Sequence, residues 1–269
     1  MNKRKVMLSL KLKIFLIALS TIVIICLLLI SPLFSIKNII VDSQDTELKS
    51  EIVQLAEERA KGENGFLFVS RNVKGVKNFG YLFDLRAKEL EEEISFLIPE
   101  VKNIKVRFSF PNTLDISYDK RVPAYVVEVS GSYVCVDIEG VVLAVLLDNS
   151  DNKLPVVRGI DVTDYKVGQA VSLSDGEKFK FLKLVFNEIY KCDLKDDSYK
   201  LLEHIEILDI SEYNKIWLFI DDILSVKLGD VDNISYKINA LKEIVLSEEI
   251  NGKRGQIDFS ASHPIFKEE

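Results

Sequence analysis

An uncharged apolar run near the N-terminus limits what this chain can fold into more than any other feature. Residues 14–36 contain no charged side chain, and most of them are apolar. About 20 helical residues cover the ~30 Å hydrocarbon core of a bilayer, whereas the apolar part of a cleaved signal peptide is shorter and precedes a small-residue cleavage site. The sequence after this run shows no such site. The run therefore predicts a retained transmembrane helix over residues 14–33.

The charges on either side of the run predict its orientation. Five basic and no acidic residues occupy positions 1–13, whereas Asp42, Asp45 and Glu47 follow the run. Basic flanks stay on the cytoplasmic side of a membrane. We expect a cytoplasmic tail over residues 1–13 and a single-pass type II protein, with everything after the helix outside the cytoplasm.

The outer region is acidic. The 269-residue chain has a net charge of −7, and the residues after position 13 carry 30 basic and 42 acidic side chains, a net charge of −12. Binding of nucleic acid and of anionic lipid surfaces depends largely on Lys and Arg. We therefore expect protein partners and no nucleic acid. No small-molecule substrate is expected either.

The three cysteines form no metal-binding motif. No CxxC pair or Cys/His ligand spacing occurs, so zinc and iron–sulfur sites are not expected. Cys135 and Cys192 could form a disulfide in an oxidising compartment, but isolated cysteines more often behave as small buried hydrophobes. Both interpretations stay open at this point.

Hydrophobic periodicity predicts a first module over residues 34–119. A strand near residues 36–41 precedes apolar residues at helical spacing, and a second helix is expected to begin at Asp84 and to end before Pro99. We expect the glutamates of this second helix to form its solvated face: Glu89, Glu91, Glu92 and Glu93. Alternating residues then predict a hairpin over 104–118. The result is an α+β module with a three-stranded sheet and two helices on one face.

A second module is predicted over residues 120–260. A meander of strands leads to a helix that the capping box from Ser174 to Glu177 would start, and further strands and one more helix follow. Residues 256–260 form the last predicted strand, and residues 261–269 a short polar tail. This module is predicted to be a larger mixed β-sheet with helices.

With these elements in this order, the chain resembles the FtsQ/DivIB family of bacterial cell division proteins along most of its length. The hairpin carries Pro-Asn-Thr-Leu at 111–114, and residues 119–124 resemble the family junction E-R-x-P-x-A. Asp119 lies one position before the acid of that motif, and Lys120 takes its place. Further family-like segments follow in family order at 136–142, 154–159, 226–229 and 255–260. The resemblance implies a single anchor, a POTRA domain and a β domain.

The same resemblance implies a function. Members of this family are non-enzymatic components of the divisome that bind FtsB/DivIC-like and FtsL-like coiled-coil membrane proteins and help place or regulate septal peptidoglycan synthesis. The Lys-rich tail and Ile-rich composition favour the DivIB branch. The resemblance implies no cofactor, no metal and no catalytic residue. Two other function classes remain as alternatives: a membrane-anchored cell-wall enzyme and a POTRA-bearing secretion or transport component.

Two groups of residues are candidates for function. The resemblance places partner binding in the C-terminal part of the β domain, and the last strand could extend its sheet with a partner strand. The alternative is that this strand only closes its own sheet. Phe259 variants are expected to lose the partner without loss of stability. The candidate residues are Gln256, Ile257, Asp258, Phe259 and Ser260.

The second group is the domain-junction motif of Arg121, Pro123 and Ala124. Proline fixes its own φ and biases Val122 toward an extended backbone, which suits a rigid junction, so a structural role is at least as well supported as a binding role.

Little in the sequence suggests catalysis. His204 and His263 are the two histidines, and neither accompanies a recognisable nucleophile motif. The polar residues from Asp148 to Asn152 lack the spacing of an EF-hand and predict a turn. Trp217 lies in a dense apolar run and is predicted to be a core residue.

Overall fold

The computed structural model describes residues 10–43, 45–71, 85–150, 153–196, 198–250, 252–261 and 263–268. Within these ranges the fold is α+β, as predicted, with seven α-helices and fourteen strands. The chain divides into two compact units, residues 1–120 and residues 121–269.

The first unit begins with α1 (Leu10–Leu29) and a 3₁₀ turn at Pro32–Phe34. The helix ends before the predicted residue 33 because Ser31 caps the turn, its hydroxyl accepting from the Leu33 N–H, and because Pro32 has no N–H to continue a helix. Within the described residues, no helix combines the length and the apolar character needed to cross a membrane.

A three-stranded sheet organises the rest of this unit. β1 (Asn38–Asp42) pairs in parallel with β3 (Thr113–Lys120), and β3 pairs antiparallel with β2 (Val101–Ser109), so the order is β1-β3-β2. Apolar side chains of the sheet and helices share one core, which includes Ile52, Ile94, Val106 and Leu114. The elements are β1 (Asn38–Asp42), α2 (Thr46–Ala60), α3 (Gly65–Arg71), α4 (Lys88–Leu97), β2 (Val101–Ser109) and β3 (Thr113–Lys120).

The helices of this unit differ from the prediction in two ways. α3 is an additional helix, and α4 begins at Lys88 with Ala87 at its N-cap. The predicted cap, Asp84, lies outside the described residues.

The expectation that Glu91 is solvated was wrong. Arg86 donates from Nε and Nη2 to the two Glu91 carboxylate oxygens at 2.9 and 2.6 Å, and the Val106 N–H donates to Oε1 at 2.8 Å. Glu91 is consequently buried. Its carboxylate ties α4 to β2 and to the segment before the helix, a tertiary arrangement that helical periodicity does not reveal.

The second unit is built on a nine-stranded sheet with the order β14-β13-β12-β11-β10-β7-β4-β5-β6. β4 and β10 flank β7 in parallel, and β12 and β13 are also parallel, while the other neighbours are antiparallel. The strands are β4 (Pro123–Val129), β5 (Ser132–Asp137), β6 (Val142–Leu146), β7 (Val156–Arg158), β10 (Ile205–Asp209), β11 (Ile216–Ile220), β12 (Leu224–Gly229), β13 (Gly255–Asp258) and β14 (Ile265–Glu268). A separate two-stranded ribbon joins β8 (Val162–Asp164) and β9 (Ser172–Leu173).

Helices cover part of the large sheet. The apolar faces of α5 (Gly176–Lys195) and α7 (Ile234–Leu246) share one core with the sheet, and Tyr125 stacks on Phe186 with ring centroids 5.0 Å apart. A short helix, α6 (Leu201–His204), precedes β10. The predicted capping box was misplaced by one residue, because Asp175 caps α5 by accepting from the Glu177 and Lys178 N–H groups.

The cysteines of this unit do not pair. Cys135 and Cys192 are both free and buried. Burial, with a smaller effect of the nearby Asp137 charge, raises the pKa of the Cys135 thiol to about 11. Both side chains therefore behave as small apolar groups.

Candidate functional site

The predicted partner strand lies inside the sheet and not at its edge. β13 pairs in parallel with β12, where Val226 faces Ile257, and antiparallel with β14, where Ile257 faces Phe266. The prediction that residues 256–260 form the last strand was therefore wrong, since residues 265–268, predicted as tail, form one more. Both sides of β13 are occupied by the protein's own strands, which leaves a partner strand no edge there.

The side chains of β13 and the residues after it are partly core. Ile257 is buried, and Phe259 is only 5% exposed. Gln256 and Asp258 are half-buried, and Ser260 is exposed. Because the ring belongs to the core of the unit, its burial argues against the expectation that Phe259 variants leave stability unchanged, and we now predict a loss of stability.

The open edge at this end of the sheet is β14. Among the described residues, β13 is the strand that pairs with it, and no strand pairs with its other side. Ile265, Lys267 and Glu268 are exposed, and Phe266 is half-buried against the core. An edge strand presents unpaired N–H and C=O groups, which a partner strand can use.

Gly255 sets how closely β14 approaches β13. A Cβ at this position would lie 2.3 Å from the Lys267 carbonyl oxygen and 2.9 Å from the Phe266 ring. A side chain would collide with backbone, so the close approach of β14 requires glycine here.

An ion pair links β13 to the neighbouring strand β12. Lys227 Nζ on β12 lies 3.4 Å from Asp258 Oδ2, and the Ser260 N–H donates to Asp258 Oδ1 at 2.8 Å. Burial disfavours the Asp258 carboxylate, but the hydrogen bonds from Ser260 and the Lys227 charge outweigh it and lower the pKa of Asp258.

The junction motif anchors the start of the second unit. Arg121 Nη1 donates to Asp137 Oδ2 at 2.5 Å and to Glu139 Oε2 at 2.7 Å. Pro123 opens β4, where its missing N–H is tolerated, and Ala124 is buried. Although burial opposes the charge, these hydrogen bonds raise the pKa of Arg121.

Asp137, which sequence reasoning missed, is the centre of this arrangement. It is 1% exposed, and its Oδ1 accepts from the Glu139 N–H at 2.9 Å and the Val141 N–H at 2.8 Å. The carboxylate thus holds the β5–β6 turn and pairs with Arg121. The geometry favours the structural role over the binding role for the motif. The sequence feature that could have pointed to Asp137 is the Asp-x-Glu-Gly turn at 137–140.

The remaining candidates are the two histidines and Trp217. His204 Nδ1 lies 2.9 Å from Asp221 Oδ2, and its ring stacks on Tyr199 at 4.3 Å. His263 is exposed. In the ranges that the structure describes, no group of three or more His, Cys, Asp or Glu side chains could hold a metal ion. Trp217 is half-buried and stacks on Phe219, so its prediction as a core residue was only partly right.

Several known proteins are similar in sequence to this chain. No family model matches the chain. The cell division protein DivIB of Clostridium acetobutylicum is 24% identical over 169 residues, which cover 62% of this chain and 64% of that protein. DivIB of Clostridium botulinum strain Hall is 26% identical over 200 residues, or 74% of this chain and 75% of that protein.

DivIB of Clostridium tetani is 27% identical over 231 residues, or 85% of this chain and 77% of that protein. These relatives support a cell division protein of the FtsQ/DivIB family. The family resemblance seen in the sequence is thereby confirmed. With the C. acetobutylicum protein, the match spans less than two thirds of the relative's length.

Proposed function

We propose that this FtsQ/DivIB family protein is a non-enzymatic, membrane-anchored scaffold of the division septum. Outside the cytoplasm it binds FtsB/DivIC-like and FtsL-like coiled-coil membrane proteins, and in this way it helps place or regulate septal peptidoglycan synthesis. The observation that carries the partner-binding part is the open β14 edge at the C-terminal end of the large sheet.

The anchor in this proposal is the apolar run at residues 14–33, although no helix among the described residues has by itself the length and apolar character of a membrane span. Support comes from the absence of charge in that run, from the five basic residues before it, and from the side chains of α1. Apolar side chains are exposed on all sides of that helix, including Ile14, Phe15, Ile17, Ile22 and Leu27. A helix that is apolar all round needs an apolar environment.

The domain assignment in this proposal follows the two units. Residues 34–119 would form the POTRA domain, and the rest of the outer region the β domain. Support comes from the unit boundary between Lys120 and Arg121 and from the β1-β3-β2 sheet of the first unit. Because β14 belongs to the large sheet, the β domain extends beyond residue 260 to Glu268.

We place the partner contact at β14 and no longer at residues 256–260. A partner strand could extend the sheet by pairing with the free side of Ile265–Glu268, since main-chain hydrogen bonds supply affinity in this mode of recognition and alternate side chains supply specificity. Lys267 and Glu268 on the exposed strand would favour a partner strand with complementary charges and would disfavour non-selective pairing.

Co-purification tests this proposal. The full chain and a version that ends after Pro264 are produced in detergent with a tagged DivIC-like protein. We expect the intact chain to capture that partner and the shortened one to lose at least about tenfold in binding, because β-augmentation depends on the added strand.

The matched control is Val145→Lys on β6, the strand at the other end of the sheet. It should bind normally. Equal capture by the intact and shortened chains would refute β14 as the site, and capture by neither would refute the proposed partner.

A further inference from the structure

An exposed apolar surface lies where the chain leaves α1. It consists of Leu33, Phe34, Phe66, Leu67 and Phe110, which we call the aromatic patch. Phe110 is 58% exposed, Leu33 and Leu67 are also exposed, and Phe34 and Phe66 are half-buried. No member carries a charge, and three separate parts of the first unit contribute to it.

The patch is an ordered cluster of rings. The Phe34 and Phe66 centroids are 5.2 Å apart, Phe34 and Phe110 are 5.9 Å apart, and Phe66 and Phe110 are 5.1 Å apart. The buried Phe108 ring lies beneath them, 5.4 Å from Phe66. Such packing fixes the exposed rings in place.

The patch is also tied to the end of α1. Asn64 Nδ2 donates to the Ser31 carbonyl oxygen at 3.3 Å, and Asn64 Oδ1 accepts from the N–H groups of Phe66 and Leu67 at 3.1 and 3.3 Å. Leu33 follows the last residue of α1, Leu29, by four positions. Four residues span at most about 14 Å, so the patch lies close to the end of the helix.

We propose that the aromatic patch rests in the membrane–water interface, in contact with phospholipid. This inference rests on the proposed anchor at residues 14–33. Phospholipid is the expected contact because the patch begins within four residues of the end of the proposed membrane helix. At that depth, Phe and Leu side chains of interfacial segments enter the boundary between headgroups and acyl chains. With uncharged members on an acidic body, the contact depends on apolar burial and not on anionic lipid.

Fluorescence quenching tests the contact in the full chain. Trp217, the single tryptophan, is first replaced by Trp217→Phe, and Phe110→Trp or Leu67→Trp then introduces a reporter in the patch. Each protein is reconstituted into phosphatidylcholine vesicles with or without brominated acyl chains. We expect brominated lipid to remove roughly half of the emission from either reporter, since an interfacial indole lies near the acyl chains.

Phe96→Trp is the matched control. Phe96 is 71% exposed near the end of α4, and the Val101 N–H donates to the Ile98 carbonyl oxygen, so this helix end adjoins the start of β2. Phe110 follows the other end of β2, and nine residues of extended strand are about 26 Å long. Brominated lipid should leave the emission from position 96 unchanged.

The outcomes separate the inference from the anchor. If the protein floats with the vesicles but positions 110 and 67 are not quenched, the patch faces something other than lipid and the inference fails while the anchor stands. Equal quenching at positions 96 and 110 would also overturn it. If the protein does not float with the vesicles, both the anchor and the inference fail.

Discussion

β13 and β14 lie side by side in the large sheet, yet they differ in almost every property that decides function. β13 has strands on both sides and contributes Ile257 to the core, whereas β14 has one free side and mostly exposed side chains. The last strand recognised in a sequence therefore need not be the edge of the sheet. Partner binding through a strand requires the edge, so the proposed site follows from topology.

The largest expected difference is in stability. Phe259→Ala should lower the free energy of unfolding by about 3–4 kcal/mol, because it removes a buried ring and leaves a cavity. Ile265→Ala on β14 should change it by less than about 0.5 kcal/mol, since that side chain is exposed. Urea unfolding of both full-length variants measures the change in the free energy of unfolding. Similar decreases in the two variants would contradict the assignment of one strand to the core and the other to the edge.

A smaller effect is expected where the two strands touch. Gly255→Ala should cost about 1–3 kcal/mol and weaken partner binding, because its Cβ would push against the Lys267 carbonyl. Gly176→Ala, whose Cβ would meet nothing within 4 Å, is the control. Chemical denaturation measures the free energy of unfolding, and a binding titration measures the affinity for the partner. An unchanged Gly255→Ala protein would mean that β14 does not pack closely on β13.

The pH dependence of stability should show how much the Asp258 carboxylate on β13 contributes through Lys227 and Ser260. The pKa of Asp258 is lower in the folded protein than its ordinary value of about 3.9, so its stabilising contribution is present above that value and is lost as the pH falls through the folded pKa. Asp258→Asn should therefore be less stable than the wild type at pH 7, by under about 1 kcal/mol, and this difference should shrink as the pH falls through the folded pKa of Asp258. A difference independent of pH would show that the carboxylate charge plays no part.

The smallest effect on folding is expected at the exposed edge charge. Lys267→Glu should leave the free energy of unfolding within about 0.5 kcal/mol of the wild type, because the side chain is exposed. Its effect should appear in partner association and in the salt dependence of association, as is usual for charges at the rim of an interface. Thermal unfolding and binding at two salt concentrations separate these effects, and a protein altered only in stability would argue against a partner at β14.

Periodicity predicted the regular elements well. The strand–helix–helix pattern and the hairpin of the first unit were visible because alternation in β2 and helical spacing in α2 are local signals. β14 was missed because it has four residues, two of them charged, which are typical of a tail as much as of an edge strand.

The candidate site depended on contacts between distant residues, which a single sequence does not contain. The position of Glu91 in the sequence fits an exposed helix face. Its burial instead arises from hydrogen bonds with Arg86 and with Val106 on a neighbouring strand. The role of Arg121 likewise became clear only when the fold brought Asp137 to it. The sequence predicted many of the elements, and the pairing between them decided which residues lie at the edge of the sheet, in the core or in an ion pair.

Amide hydrogen exchange of the full chain, with and without a bound DivIC-like partner, tests whether a partner strand binds at β14. If a partner strand pairs with the free side of β14, amides in residues 265–268 should exchange at least about tenfold more slowly in the complex, because exposed edge amides become hydrogen-bonded. β6, at the opposite edge of the sheet, should be unchanged. A stable complex with unaltered exchange at 265–268 would contradict the account.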